Sequence, residues 1–268
     1  MNSLGFYKIT LPLERDLFNE LFNSIDFEDI AKGRIGNHLV NIGDDGIPIV
    51  RTTTKYNIPA HNFSAIHHML IEEINSTIQT NYIDNHFPAM HFNNALIEIY
   101  DRDYTKMGYH SDQCLDLDPR SYIGLFSCYE RPDELSEQFL RKLKIKDKTT
   151  QEEFEIPLTH NSVILFSLQT NAKFLHKIVL ESSTNQKILE PDNKWLGITF
   201  RKSKTFIHFK DGLPYFSNGE LLALADDNQQ TAFYKIRGQE NNDMDFNYPT
   251  IAYTLSVGDT IIPKDFYR

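Results

Sequence analysis

The 268-residue chain holds only two cysteines, Cys114 and Cys128. Two thiols cannot build a disulfide framework, and their spacing is not that of a zinc finger. No apolar run approaches the ~20 residues needed to span a bilayer. The opening stretch, MNSLGFYKITLPLERDLF, lacks a basic region followed by an apolar segment and a cleavage site. A reducing, cytoplasmic location is therefore expected, with no membrane partner. Positive charge is also scarce: 27 Lys and Arg face 37 Asp and Glu, for a net charge of −10. That balance opposes long-range attraction to phosphates and makes duplex DNA a doubtful partner. The one dense basic run, RKLKIKDK (Arg141 to Lys148), reads as a solvated hairpin or loop before it reads as a nucleic-acid contact.

No repeat or low-complexity linker divides the chain, so a single domain over residues 1–268 is expected. Leu13, Leu17, Leu21 and Phe22 share one helical face in LERDLFNELFNSI. Ile66, Met69, Leu70, Ile74 and Ile78 do the same in NFSAIHHMLIEEINSTIQTNY. From about residue 89 the pattern changes to short runs rich in β-branched and aromatic residues: NALIEIYD, RSYIGLFSCYE, NSVILFSL, KFLHKIVL and KWLGITFRKSKTFIHF. A later helix is expected around DNQQTAFYKIR and a strand at YPTIAYTLSV. Helices followed by many short strands predict an α+β domain with a jelly-roll core over 89–210. Support of helix and strand precedes it over 1–88, and a C-terminal extension follows over 211–268.

The chemistry is carried by residues in three places. In GYHSDQC, His110 and Asp112 are two apart, so on a strand they present an imidazole and a carboxylate to the same side. Farther on, His176 stands among apolar neighbours in KFLHKIVL. Arg201 ends the apolar run WLGITFR. Of the remaining histidines, His38, His61, His67, His68, His86, His91, His160 and His208 read as structural. His68 and Glu72 have the spacing of a helical pair, which amphipathic helices carry by accident. Two imidazoles and one carboxylate on one face of an octahedral ion leave positions open, as in the facial triad of non-haem Fe(II) oxygenases. A chelating 2-oxo acid and dioxygen fill such positions. A dicarboxylate cosubstrate also calls for a buried cation, which Arg201 can supply as a planar fork.

Over Asn94 to Lys202 the chain resembles the AlkB-like branch of the 2-oxoglutarate/Fe(II)-dependent dioxygenases. The metal motif of that family falls on His110, Asp112 and His176, and the end of its closing motif on Thr199-Phe200-Arg201. Its cosubstrate-binding tyrosine falls on Tyr100. Other positions depart from the family. The asparagine of its Asn-X-Tyr is Glu98 here, the first arginine of the closing motif is Trp195, and the asparagine that follows is Gly197. Lys194, beside Trp195, is the expected second cation for the cosubstrate. An acidic residue that reads damaged bases in repair enzymes is replaced by Cys114. VRTTTKY occupies the recognition-lid region, with Arg51 and Tyr56 as candidate substrate contacts; an ordinary strand is the alternative. The resemblance implies Fe(II), 2-oxoglutarate and O2 as cofactor and cosubstrates. It also implies oxidation of a C–H bond in a small molecule, a modified nucleoside or nucleic acid, or a protein side chain. Two other classes compete: a zinc hydrolase using the same three ligands, and a non-enzymatic β-barrel binding module in which His110 and Asp112 form a polar strand face.

Overall fold

Every residue of Asn94–Tyr100 is buried, which a strand achieves when both faces of its sheet are covered. The computed structural model describes residues 2–81, 87–105, 107–137, 139–181 and 192–264; His86 lies outside them. In chain order the main elements begin with β1 (Phe6–Thr10), α1 (Phe18–Phe22), β2 (Glu28–Ala31), β3 (Arg34–Val40), α2 (Ala65–Asn81), β4 (Asn94–Tyr100) and β5 (Tyr122–Tyr129). They continue with β6 (Lys142–Asp147), β7 (Glu153–Pro157), β8 (Ser162–Ser167), α3 (Leu168–Lys173) and β9 (Phe174–Val179). The last are β10 (Trp195–Arg201), β11 (Phe206–Lys210), β12 (Leu213–Phe216) and α4 (Asp227–Asn242).

The major sheet runs β1-β8-β5-β10-β4-β3-β2 with antiparallel neighbours throughout. The minor sheet is β7-β6-β9. Alternation in the strands decides what lies between them. Phe6, Tyr100, Leu125, Ile164, Phe166 and Trp195 of the major sheet share an apolar cluster with Leu143, Ile145, Phe174 and Ile178 of the minor sheet. The two sheets therefore face each other, in the jelly-roll arrangement expected from the sequence. The intervening residues Ala95, Ile97, Ile99, Leu196, Ile198 and Phe200 point the other way, onto Ile66, Leu70, Ile74 and Ile78 of α2. Each of these isoleucine, leucine and phenylalanine side chains contributes roughly 1.5–3 kcal/mol when fully buried, so α2 is a firm backing for the sheet.

The N-terminal helix expected over Leu13–Ile25 is much shorter, covering Phe18–Phe22. Asp16 accepts the Phe18 N–H at 2.9 Å, and the Asn23 side chain donates to the Asn19 carbonyl at 2.7 Å, so polar groups close both ends early. Between the runs NSVILFSL and KFLHKIVL the chain forms α3, capped by Ser167, whose Oγ accepts the Thr170 N–H at 3.1 Å. The strand expected at YPTIAYTLSV reduces to a pairing of Tyr253–Thr254 with Ala223–Leu224. Carbonyls of Ile251 and Tyr253 accept from the Arg51 guanidinium rather than from a strand. The basic run is a hairpin strand, β6, whose outward Lys142, Lys144 and Lys146 pair with Glu155, Glu181 and Glu153. No described helix is long and apolar enough to cross a membrane.

Candidate metal centre and its cavity

His110 does not belong to a regular strand. It forms a one-residue antiparallel bridge with His176 on β9, exchanging both backbone hydrogen bonds at 3.0 and 2.6 Å. Residues directly opposite in such a bridge project to the same side. The two imidazoles accordingly lie 4.8 Å apart, centroid to centroid. Asp112, two residues on, turns to the same place, with Oδ1 3.5 Å from His176 Nε2. One ligand atom from each of the three lies within 4.8 Å of the others, and theirs is the one such group among the described residues.

The protonation states suit a metal. His110 Nδ1 lies 3.0 Å from the Gly108 carbonyl oxygen. A carbonyl accepts only, so Nδ1 carries the proton and Nε2 keeps its lone pair. Desolvation, reinforced by His176, pushes the His110 imidazole down to about 3, and it is neutral near pH 7. Burial would raise the Asp112 pKa, but the Arg201 guanidinium and then His176 outweigh it and hold this carboxyl well below the usual carboxylate range. Two imidazoles and one carboxylate, open on the cavity side, are a donor set that fits Fe(II).

The residues around the triad fix its backbone. Asn171 of α3 accepts the Asp112 N–H at 2.8 Å and donates to the Asp112 carbonyl at 2.9 Å. On the other side, α4 grips the same loop. Asn241 Oδ1 accepts the Ser111 N–H at 3.1 Å and its hydroxyl at 3.3 Å. Glu240 accepts the Cys114 N–H at 2.9 Å, and Arg237 donates to the Ser111 carbonyl. Tyr248 and Arg237 in turn hold Glu240. α4 starts cleanly because Asp226 and Gln229 form a capping box. The sequence predicts the helix but not this role. Asn171, Glu240 and Asn241 carry no local motif that would have revealed it.

A cavity of about 410 Å³ opens onto the triad. Its walls include Thr52, Thr53, Thr54, Gln113, Leu125 and Arg201. Both Arg201 Nε and one Nη lie against Asp112 Oδ2, at 3.2 and 3.1 Å. Tyr100 is fully buried and donates its hydroxyl to Glu98 Oε2 at 2.7 Å. Glu98 also receives Arg34, whose Nε and Nη2 lie 2.6 and 2.5 Å from Oε1. Lys194 is not brought to this cavity. It lies just before β10, on the parity of the residues that face away from the interior, and reaches Glu130 at 3.6 Å. Arg51 is likewise elsewhere: its guanidinium is buried against Asp116 at 2.7 Å. Tyr56 is buried against the His38 ring at 4.4 Å. In the VRTTTKY segment the three threonines line the cavity, rather than the two residues named from sequence. Cys114 lines a separate, wider groove behind the loop.

Fold and site together fit a jelly-roll enzyme built around one metal ion. Residues 37–201 match the 2OG-Fe(II) oxygenase superfamily, more than half of the chain, and the protein belongs to that superfamily. It is an oxidoreductase of the dioxygenase kind, with Fe(II), 2-oxoglutarate and O2 as its cofactor and cosubstrates, rather than a hydrolase or a binding module. Among solved structures it is similar to OsALKBH1, at 12% identity over 66% of this chain and 83% of that chain, TM-score 0.43. It is also similar to a Pseudomonas putida prolyl-4-hydroxylase, at 11% identity over 75% of this chain and 94% of that chain, TM-score 0.39. No curated protein sequence matches it.

Proposed function

We propose that the chain is an AlkB-like dioxygenase, working as one domain, in which His110, Asp112 and His176 hold Fe(II). The observation that carries this reading is the convergence of two imidazoles and one carboxylate within 4.8 Å of one another at the cavity. Bound iron, with 2-oxoglutarate, supplies oxygen activation: one oxygen atom of O2 ends in succinate, CO2 is released, and the other atom converts a substrate C–H to C–OH. If that carbon is an N-methyl group, the carbinolamine breaks down to formaldehyde and a free amine; otherwise an alcohol remains.

The protein's own residues do three things. Arg201 fixes Asp112 through Oδ2, leaving Oδ1 on the side of His176. Phe166, Leu125 and Ile178 keep the cavity wall apolar next to the ligands and exclude water. Thr52, Thr53, Thr54 and the Gln113 amide present hydrogen-bonding groups to a substrate. A substrate other than duplex DNA is favoured by the net charge of −10: a small molecule, a modified nucleoside or a protein side chain.

Anaerobic addition of Fe(II) and 2-oxoglutarate to the full chain should produce a weak visible charge-transfer band, absent in His176→Ala. A succinate-release screen over methylated nucleosides, oligonucleotides, peptides and metabolite pools then identifies the substrate class. Absence of the band together with absence of succinate under every condition would remove this reading.

A further inference from the structure

A dicarboxylate held by a metal at one end needs a cation for the other, and the described cavity offers three candidates: Arg34, Arg201 and Arg237. Arg201 lies against Asp112, itself one of the three proposed ligands, and so sits at the metal end rather than the far end. Arg237 is tied to Glu240 and to the Ser111 carbonyl at the loop. Arg34 stands apart from both. It begins β3 and lies directly across from Tyr100, which in turn lies across from Trp195. These three residues therefore form one rung of the sheet, with side chains on the interior face. Trp195 is the position at which the family resemblance calls for an arginine. Here the charge sits on the same rung but two strands over, at a residue outside the stretch that matches the superfamily.

The rung already holds a carboxylate. Glu98 Oε1 takes Arg34, and Glu98 Oε2 takes the Tyr100 hydroxyl. A guanidinium and a phenol converging on the two oxygens of one carboxylate is a seat built for that group. Glu98 and the Tyr104 hydroxyl engage three of the five N–H donors of Arg34, which leaves donor capacity for an incoming anion. Burial opposes the charge on Arg34, yet Glu98 and the surrounding tyrosines keep the guanidinium fully protonated.

We propose that Arg34 and the Tyr100 hydroxyl form the seat for the distal carboxylate of 2-oxoglutarate, and that Glu98 occupies this seat as an internal competitor until the cosubstrate binds. The proposal rests on the dioxygenase reading above and adds what sets cosubstrate affinity in this chain. Arg34 supplies attraction specific to a ligand with a second carboxylate. Glu98 subtracts from it, since the ligand must share or displace its partner and meets a like charge beside it.

The test measures ligand affinity, not turnover. Full-length protein loaded anaerobically with Fe(II) is titrated with 2-oxoglutarate and with 2-oxobutyrate, which lacks the distal carboxylate, following the charge-transfer band. Arg34→Gln should weaken 2-oxoglutarate by about 30-fold, the scale of a lost charge-assisted hydrogen bond, and leave 2-oxobutyrate as in the wild type. Glu98→Gln should tighten 2-oxoglutarate severalfold. Because Arg34→Gln strands a buried carboxylate, the double variant Arg34→Gln/Glu98→Gln removes both charges together. It should fold as the wild type does and still bind 2-oxoglutarate at least about tenfold more weakly. Equal weakening of both ligands, or unchanged 2-oxoglutarate affinity in the double variant, would overturn the assignment of Arg34. Weaker 2-oxoglutarate binding in Glu98→Gln would overturn the competitor. If the wild type gives no band with either acid, the dioxygenase reading itself fails, which is a different result from normal wild-type binding untouched by the Arg34 variants.

Discussion

Arg201 and Asp112 are 89 residues apart in sequence, yet two guanidinium nitrogens converge on a single carboxylate oxygen, Oδ2. The other oxygen faces His176. The ion pair thus divides the carboxylate into an anchored half and a half directed at the candidate metal centre. Arg201→Met should cost the metal-free protein on the order of 3–5 kcal/mol, because Asp112 is left buried without its partner. Arg201→Lys should lose less, retaining the charge but not the fork. Chemical denaturation of the metal-free variants checks both. A loss within about 0.5 kcal/mol for Arg201→Met would mean the pair does not hold the carboxylate.

The hold of α4 on the loop is testable in the same way. Asn241→Ala removes the acceptor for both the N–H and the hydroxyl of Ser111. It should destabilise the fold by about 1–3 kcal/mol and weaken Co(II) binding by roughly 10–100-fold, the usual cost of a lost outer-shell partner. Gln230→Ala, at the other end of the helix, whose side chain bonds exposed Lys55 and the Ala225 carbonyl, serves as the control. Its Co(II) affinity should match the wild type.

Gly197 tests the packing of the interior face. A Cβ built there meets three carbons of the Trp195 indole at 2.0, 2.5 and 2.7 Å, so the ring lies directly over the glycine. Gly197→Ala should destabilise by about 1–3 kcal/mol or more. Combined with Trp195→Leu, the two losses should be far from additive. A double-mutant cycle by urea denaturation gives the coupling, and additive losses would contradict the contact.

Acid should weaken the fold through two buried histidines away from the triad. Burial pushes His67 down to about 4, helped by His68 and His61, and its Nδ1 accepts the Ser64 N–H at 3.0 Å. Burial and then Arg201 push His38 down to about 3. Between these values and the ordinary 6.5, the unfolded chain binds protons that the folded one does not. The contribution of these two groups to stability is therefore flat above about pH 6.5 and falls as pH drops below it, by up to about 1.4 kcal/mol per unit for each group. Thermal unfolding from pH 8 to 4.5 should show this slope, and His67→Gln should flatten it. An unchanged slope in that variant would exclude His67 as a source.

Much of the fold was legible because burial on both sheet faces leaves a local trace. NALIEIY and WLGITFR are unbroken apolar-rich runs, and their parity sorts Tyr100 and Arg201 inward and Ile97 and Ile198 toward α2. The two-residue spacing of His110 and Asp112 predicts neighbours on one face of a strand. The strand is a single bridge, but a bridge imposes the same sidedness, so the geometry came out alike. Arg34, Asn171, Glu240 and Asn241 were not legible. Each meets its partner across 59 to 130 residues of chain, through registers and helix docking that no local spacing encodes. Lys194 is adjacent to Trp195 in sequence, and adjacency on a strand means opposite faces.

The clasp from α4 also has a consequence in time. Asn241 follows Ser111 by 130 residues. At the pace of translation, the loop with His110 and Asp112 waits on the order of ten seconds for the helix that steadies it. Iron would then be acquired by a finished polypeptide and not by a nascent one. Ribosome-stalled chains halted before residue 227, where α4 begins, should fail to retain Co(II) at concentrations that saturate the released protein.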